Sequence, residues 1–563
     1  MGVLDEAAAL LALARWTLAL ARHDTHAPGP LPGHPKFASA REAVDRIPDG
    51  AVVGVSGLGG HQRASLVHWA LRERFHETRR PRRLTVINVG GHGGRGLLPG
   101  SLDELAVPGL CTRLVSSHFE TFHGFLALAS EGRCELQCLP LGVIAQLYAA
   151  LARGEESVAS EVGVGTFLDP RTGRGTPVQG GRREQLVRVE GARLRYRLPP
   201  LDVAIFNLPA ADRRGNLYAT DAAMIGDARE LALAVRRRGG LVIANVGRLV
   251  PERAGRALLP ARAVDAIVCH PATEQTVGRF HAAPWKAVVP GGHGSVEVGL
   301  AHARLVRRLG ELTGGFPRRT ALDAAVVRLA ADVLLAETRR GARVAIGTGL
   351  PEEVAAAVHE AGAAGRVTFL LESGVVGGIP APGAYFGAAF APREIVSTAQ
   401  LFERVRRRLD AACLGALEID GAGSVNVSRR GRGVRRTVGP GGFMDFTEAA
   451  RTIVFVARWM RGGKAVLEDG RVRILERGAP KLVPRLAETT FDAGRALRAG
   501  KRVLYVTTVG VFRLTEGGLL LERVMPGIDV RRDVLGATRV PLRLPASGEV
   551  PVVDRRLVTG EAR

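Results

Sequence analysis

The sequence predicts an α/β protein made of two similar open halves with mostly parallel sheets, and three internal correspondences in one order carry that prediction. The first begins at Gly50, where G-A-V-V-G-V-S-G gives an apolar burst ending in small residues, followed by helical spacing of Leu66, Trp69, Ala70 and Leu71. The same strand, tight turn and helix return from Gly341 as G-A-R-V-A-I-G-T-G-L-P-E-E-V-A-A-A-V, with Pro351 placed to open the helix. The second is a further strand in each half, Arg83 to Gly91 and Arg366 to Gly374, which align without a gap. The third pairs Asp212-Arg-Arg-Gly-Asn-Leu217 with Asp420-Gly-Ala-Gly-Ser-Val425, each a turn leading into a strand. Strands alternating with helices imply open, mostly parallel sheets covered on both faces.

At 563 residues the chain exceeds what one core organises. The expected division is an N-terminal extension and linker (1–36), a first half (37–300), a linker (301–320) containing Gly314, Gly315 and Pro317, a second half (321–545) and a tail (546–563). Residues 4–22 are apolar, but Asp5, Glu6 and Arg15 suit neither a signal sequence nor a membrane span, so a surface-docking helix is expected and no membrane partner.

Composition narrows the function classes. The net charge is +23, but only five of the 78 basic residues are lysine, and the 73 arginines are scattered through every segment. With 5% aromatic residues and no reading module, this argues against specific nucleic-acid binding while still favouring a phosphate-bearing ligand. Five cysteines, an odd number in a long chain, argue for a reducing compartment, read as the cytoplasm. Cys134 and Cys138 have no second pair or histidine cluster to complete a zinc site, so no metal is expected.

One acid stands apart. In open α/β sheets ligands lie beyond the carboxyl ends of the strands, and Glu372 falls there, closing V-T-F-L-L and preceding S-G-V-V-G-G. Its counterpart in the first half is Val89, so the repeat itself does not require an acid. A strand-end glutamate paired with one of the many arginines is the alternative from position alone.

The segment E-S-G-V-V-G-G-I-P-A-P-G, Glu372 to Gly383, resembles the active-site segment of family I coenzyme A-transferases, especially single-chain acetate and propionate transferases. Further landmarks follow the family's order over about 37–540: V-G-V-G-T-F-L-D-P-R (162–171), A-D-R-R-G-N-L (211–217), G-T-G-L-P-E-E-V-A (347–355), N-V-S-R (426–429), G-G-F-M-D-F-T (441–447) and P-G-I-D-V (526–530). The resemblance implies an acyl-CoA:carboxylate CoA-transferase acting on short-chain acids. Glu372 would attack the thioester to give an acyl-glutamyl anhydride, then carry CoA as a glutamyl thioester, with coenzyme A as substrate and no permanently bound cofactor. It points to Gly441 and Gly442 as oxyanion donors, with Asn426 and Gly374 beside them in oxyanion or CoA binding, and to a homo-oligomer.

The chain departs from the family in three places. Val405-Arg-Arg-Arg-Leu-Asp410 stands where a glycine loop is usual, and with Leu401 and Leu409 it reads as a basic amphipathic helix whose arginines face solvent. His92 and Gly94 stand where a glutamine and an aspartate are usual, and Ser424 replaces an asparagine. Other chemistries fit less well. Gly91-x-Gly93-x-x-Gly96 matches a dinucleotide fingerprint, but Leu97-Leu-Pro-Gly100 interrupts its helix. Gly54-Val-Ser-Gly-Leu58 lacks the last glycine of a serine nucleophile elbow. Two readings remain beside the transferase: a thioester hydrolase on the same scaffold, and a catalytically silent CoA-binding or scaffolding protein.

Overall fold

A computed structural model describes residue 11 and residues 23–561, except 94–97, 180–183, 254–255, 272, 275–284 and 293. The helix expected over 4–22, Leu11 apart, and Gly94 and Gly96 therefore lie outside the described residues.

The first large sheet comprises β1 (Val52–Leu58), β2 (Leu84–Gly90), β3 (Cys111–Ser116), β4 (Glu135–Cys138), β5 (Val203–Ala211), β6 (Leu241–Leu249) and β7 (Ala266–Cys269). Their order is β7-β6-β5-β1-β2-β3-β4 and each neighbouring pair is parallel; an eighth, two-residue strand, Leu217–Tyr218, pairs antiparallel with the end of β5. Every residue of β5 is buried, as a central strand covered on both faces must be. Helices α1 (Ser65–Thr78), α2 (Leu141–Arg153) and α3 (Ala228–Arg237) belong to this half.

The second sheet comprises β8 (Ala342–Ile346), β9 (Val367–Leu370), β10 (Val375–Val376), β11 (Glu394–Ile395), β12 (Leu409–Gly415), β13 (Ala450–Ala457), β14 (Arg502–Thr507), β15 (Gly510–Thr515) and β16 (Gly518–Val524). Its order is β11-β10-β9-β8-β12-β13-β14-β15-β16. The pairings from β9 through β14 are parallel, and those at either edge are antiparallel. With it belong α4 (Val296–Leu312), α5 (Ala321–Glu337), α6 (Leu350–Glu360), α7 (Thr398–Arg407) and α8 (Phe443–Ala449). Local chemistry sets the helix starts. Thr320 and Asp323 form a reciprocal capping box at α5, as Ser397 and Gln400 do at α7, and Pro351 stands in the first turn of α6.

The repeat is visible in both connectivity and detail. β1 lies between β2 and β5 as β8 lies between β9 and β12. After β5 the Asp212 carboxylate accepts the amides of Arg214 and Asn216, with Gly215 at φ +87°. After β12 the Asp420 carboxylate accepts the amides of Ala422 and Ser424, with Gly423 at φ +86°. These are the same turn, built by one Asp and one left-handed glycine. Most of the segment 301–320 is helical, because Leu300, Ala303, Val306 and Leu309 recur at helical spacing and bring α4 against Ile379 and Phe390. Residues beyond 545 pack on α5, with Val553 and Val558 buried and Arg328 donating to the Leu557 carbonyl.

Candidate active site

Strands β1 and β2 of one half and β8, β9 and β12 of the other end at one cleft of about 710 Å³, lined by Gly59 and Gly91 from the first half and Gly347, Glu372 and Leu417 from the second. A separate hollow of about 410 Å³ is lined by Asp221 and Lys286, which contact one another, and contains none of the predicted site residues.

Glu372 stands two residues past β9, where the chain reverses. Leu371 donates to the Val375 carbonyl and Gly374 to the Leu371 carbonyl, so β10 returns antiparallel. Gly374 makes this turn possible: its φ is +100°, and a Cβ there would lie 2.0 Å from the Val396 carbonyl oxygen. The turn buries Ser373 and leaves Glu372 facing the cleft.

The Gly442 amide donates to Glu372 Oε2 at 2.8 Å. Such an approach excludes a side chain, since a Cβ on Gly442 would stand 2.7 Å from that oxygen. Burial raises the Glu372 carboxyl to about 7, and the Gly442 hydrogen bond offsets only part of this. Near neutral pH the group therefore titrates, and its anion is poorly solvated.

The predicted site residues separate on these geometries. Glu372, Gly441 and Gly442 come together, but the Gly441 amide is spent on the Ser117 carbonyl of the first half at 3.0 Å, leaving the Gly442 amide as the donor to the glutamate. The Gly374 amide is likewise used within its turn. Asn426 does not offer a donor to the glutamate: its amide group donates to Glu418 and to the Arg429 carbonyl, while its oxygen accepts the amides of Ser428 and Arg429. It braces a loop because all its hydrogen-bonding capacity is committed there. Ser424 similarly accepts the Ala493 amide.

Two residues escaped sequence reasoning. Asp445 lies within the quoted G-G-F-M-D-F-T motif, and its Oδ2 accepts the amide of Gly142 from the other half at 3.0 Å. Lys481 lines the cleft with Arg319, Arg430 and Arg458. Burial, helped by Arg430, Arg458 and Arg461, lowers its ammonium to about 8 while Nζ donates to the Ala416 carbonyl. Its signal in the sequence was being one of so few lysines, because lysine, unlike arginine, can lose its proton when buried.

The arginines of this segment are solvated, but the expected helix stops short: α7 ends at Arg407, Arg408 is extended (φ -162°, ψ 113°), and Leu409 and Asp410 open β12. Leu401, Val405 and Leu409 are buried, Arg406, Arg407 and Arg408 are exposed, and Arg407 pairs with Glu403 one turn earlier. Replacing all three by alanine is expected to change exchange by less than about twofold, since exposed ion pairs contribute little. Steady-state assays with mono- and dicarboxylate acceptors check this, and a selective loss of dicarboxylate use would contradict it. His92 is buried beneath β1, where a Cβ on Gly57 would strike its ring, and burial holds its imidazole well below the usual range.

Comparison with known proteins places the chain in a family. Residues 37–270 match the family model described as Coenzyme A transferase. The chain is 30% identical to caffeate CoA-transferase of Acetobacterium woodii, over 89% of this chain and 93% of that protein. It is 28% identical to acetate CoA-transferase YdiF of Escherichia coli (strain K12), over 93% and 95%. The crystal structure of the acyl-CoA transferase YdiF apoenzyme from Escherichia coli O157:H7 covers 94% of this chain and 98% of its own, with TM-score 0.79 and 27% identity. A thioester complex of YdiF with CoA superposes with TM-score 0.80 at the same coverage and identity. With the fold, the cleft and near full-length similarity in agreement, the chain belongs to the coenzyme A transferase family and is a CoA-transferase enzyme.

Proposed function

We propose that the enzyme moves CoA between short-chain carboxylic acids through covalent intermediates on Glu372. The carrying observation is a carboxylate at the base of a two-walled cleft, raised to about 7 by burial and held by one backbone amide. The Glu372 oxygen attacks the thioester carbonyl, forming an acyl-glutamyl anhydride and expelling CoA thiolate. The thiolate then attacks the glutamyl carbonyl, releasing the first acid as its carboxylate and leaving glutamyl-CoA. An incoming carboxylate reverses both steps and departs as the new acyl-CoA.

Burial weakens the solvation that would otherwise blunt the carboxylate as a nucleophile. The Gly442 amide, already 2.8 Å from Oε2, is aimed where negative charge collects when the glutamyl carbonyl becomes tetrahedral. Lys481 stands on the cleft wall beside Arg319 and Arg430, which are themselves paired with Glu353 and Glu120, and supplies a cationic group toward an anionic substrate. Thioester free energy is retained throughout, so the reaction needs neither ATP nor a permanent cofactor. The reading includes a homo-oligomer in the cytoplasm, and five cysteines free of disulfides suit that compartment. The YdiF thioester complex with CoA supports the covalent step by analogy.

Intact mass after incubation with a series of short acyl-CoAs tests the proposal, with a CoA-sized addition mapping to the Glu372 peptide as the expected result. Turnover should require a second carboxylate; equal consumption without one would make the enzyme a hydrolase. Adduct formation should also depend on pH. Protonated Glu372 is not nucleophilic, so the rate should fall as pH drops through about 7, a profile readable by rapid-quench mass spectrometry.

A further inference from the structure

The turn carrying Gly442 is anchored from the opposite half of the molecule. Helix α2 has 13 residues and begins after Pro140, whose side chain cannot accept a hydrogen bond from its first-turn amides. Those amides find acceptors across the cleft: Leu141 N–H donates to the Gly441 carbonyl and Gly142 N–H to Asp445 Oδ2, both at 3.0 Å. The two acceptors bracket Gly442 in sequence. Asp445 is buried, and at the N-terminus of α2 its carboxyl also meets the favourable end of the helix dipole.

The contact is close-fitting. A Cβ on Gly142 would stand 2.4 Å from Asp445 Oδ1 and 2.6 Å from Phe402 Cδ1. The same ring reaches Gly442, whose added Cβ would lie 3.1 Å from Phe402 Cζ, and it stacks on Phe446 with centroids 5.3 Å apart. Gly142, Phe402 and Gly442 are thus packed together, with Asp445 against the first and Glu372 against the last.

We propose that Asp445 is the positioning residue for the Gly442 amide, holding that N–H against Glu372 by tying the turn to the first turn of α2. This rests on Glu372 being the acylated nucleophile. Burial raises the Asp445 carboxyl to about 8, and the nearby Glu372 adds to the rise. What the Gly142 amide requires at this position is an accepting oxygen rather than a charge. A neutral amide should then replace Asp445, whereas a methyl group should not.

The experiment compares full-length wild type, Asp445→Ala, Asp445→Asn, Gly142→Ala and the Asp445→Ala/Gly142→Ala double variant by rapid-quench formation of the CoA adduct with a short acyl-CoA. Thermal melting verifies that each is folded. Asp445→Ala is expected to slow adduct formation about 10- to 100-fold with little change in KM, the cost of a slightly misplaced donor. Asp445→Asn, which keeps an accepting oxygen, should remain within about threefold of wild type. Gly142→Ala should slow the reaction from the other side, and the double variant should be no slower than the worse single one, as one shared contact requires.

Wild-type rates in folded Asp445→Ala, an Asn variant as slow as the Ala variant, or multiplicative effects in the double variant would each overturn the proposal. Should Asp445→Ala fail to fold, Gly142→Ala and Asp445→Asn decide alone: a slowed glycine variant with a near-normal Asn variant supports the anchor, and any other pair refutes it. A wild-type enzyme that forms no adduct would instead defeat the reading of Glu372 itself.

Discussion

Glu372→Ala is expected to lose the CoA adduct and to lower exchange by at least about 10³-fold, because the covalent route has no other entry. Glu372→Gln should be as inactive but more stable. Its folded carboxyl titrates at about 7 against an ordinary 4.5, so between those values the folded state holds a proton that the unfolded state has released. Stability therefore falls as pH rises through that window, and above it the cost of a buried anion is fully present. Removing the charge should recover on the order of 2 kcal/mol at pH 8, after discounting for the part of the side chain open to the cleft. Denaturant melts of both proteins at pH 5 and pH 8 check the sign, with the difference shrinking at the lower pH. Full exchange in Glu372→Ala would remove the glutamate from the mechanism.

Gly442→Ala ranks next. The new Cβ would stand 2.7 Å from Glu372 Oε2, and the other nearest atoms, Phe402 Cζ and Glu372 Cβ, leave it no room at 3.1 and 3.3 Å. The glutamate must move off its donor, at a cost of about 10²- to 10³-fold in kcat, the range for losing one oxyanion donor. Gly441→Ala is a useful contrast, since its nearest Cβ contact is a looser 3.4 Å but its φ is +55°. It should strain the backbone and lower stability more than it displaces Glu372.

Features written locally were legible in the sequence. The glycine-flanked acid at a strand end, the paired Asp turns at 212 and 420, and the buried face of α7 with Leu401 and Val405 each depend on neighbours within a few positions; Leu409, one helical turn further on, instead opens β12. The reading was less complete where partners come from afar. Asp445 meets Gly142 across 303 positions, so nothing in its motif announced the contact. The Gly441 amide is taken by the Ser117 carbonyl from the first half, and both hydrogens of the Asn426 side-chain amide go to Glu418 and the Arg429 carbonyl. Residue type reveals hydrogen-bonding capacity; only the fold reveals how much of it is left. One of the two antiparallel edges of the second sheet was also hidden, because β10 and β11 are two residues each and too short to show alternation.

The repeat has a consequence for molecular traffic. Both copies of the scaffold open onto one chamber, but they differ at the matched strand-end position: where the second half presents Glu372, the first presents buried Val89. Duplication therefore doubled the walls without doubling the chemistry. On the proposed route through Glu372 a single attachment point serves both exchange partners, so the departing acid must vacate the chamber before its successor is seated. Substrate order then becomes a property of architecture, and donor and acceptor compete for one address rather than waiting in separate rooms.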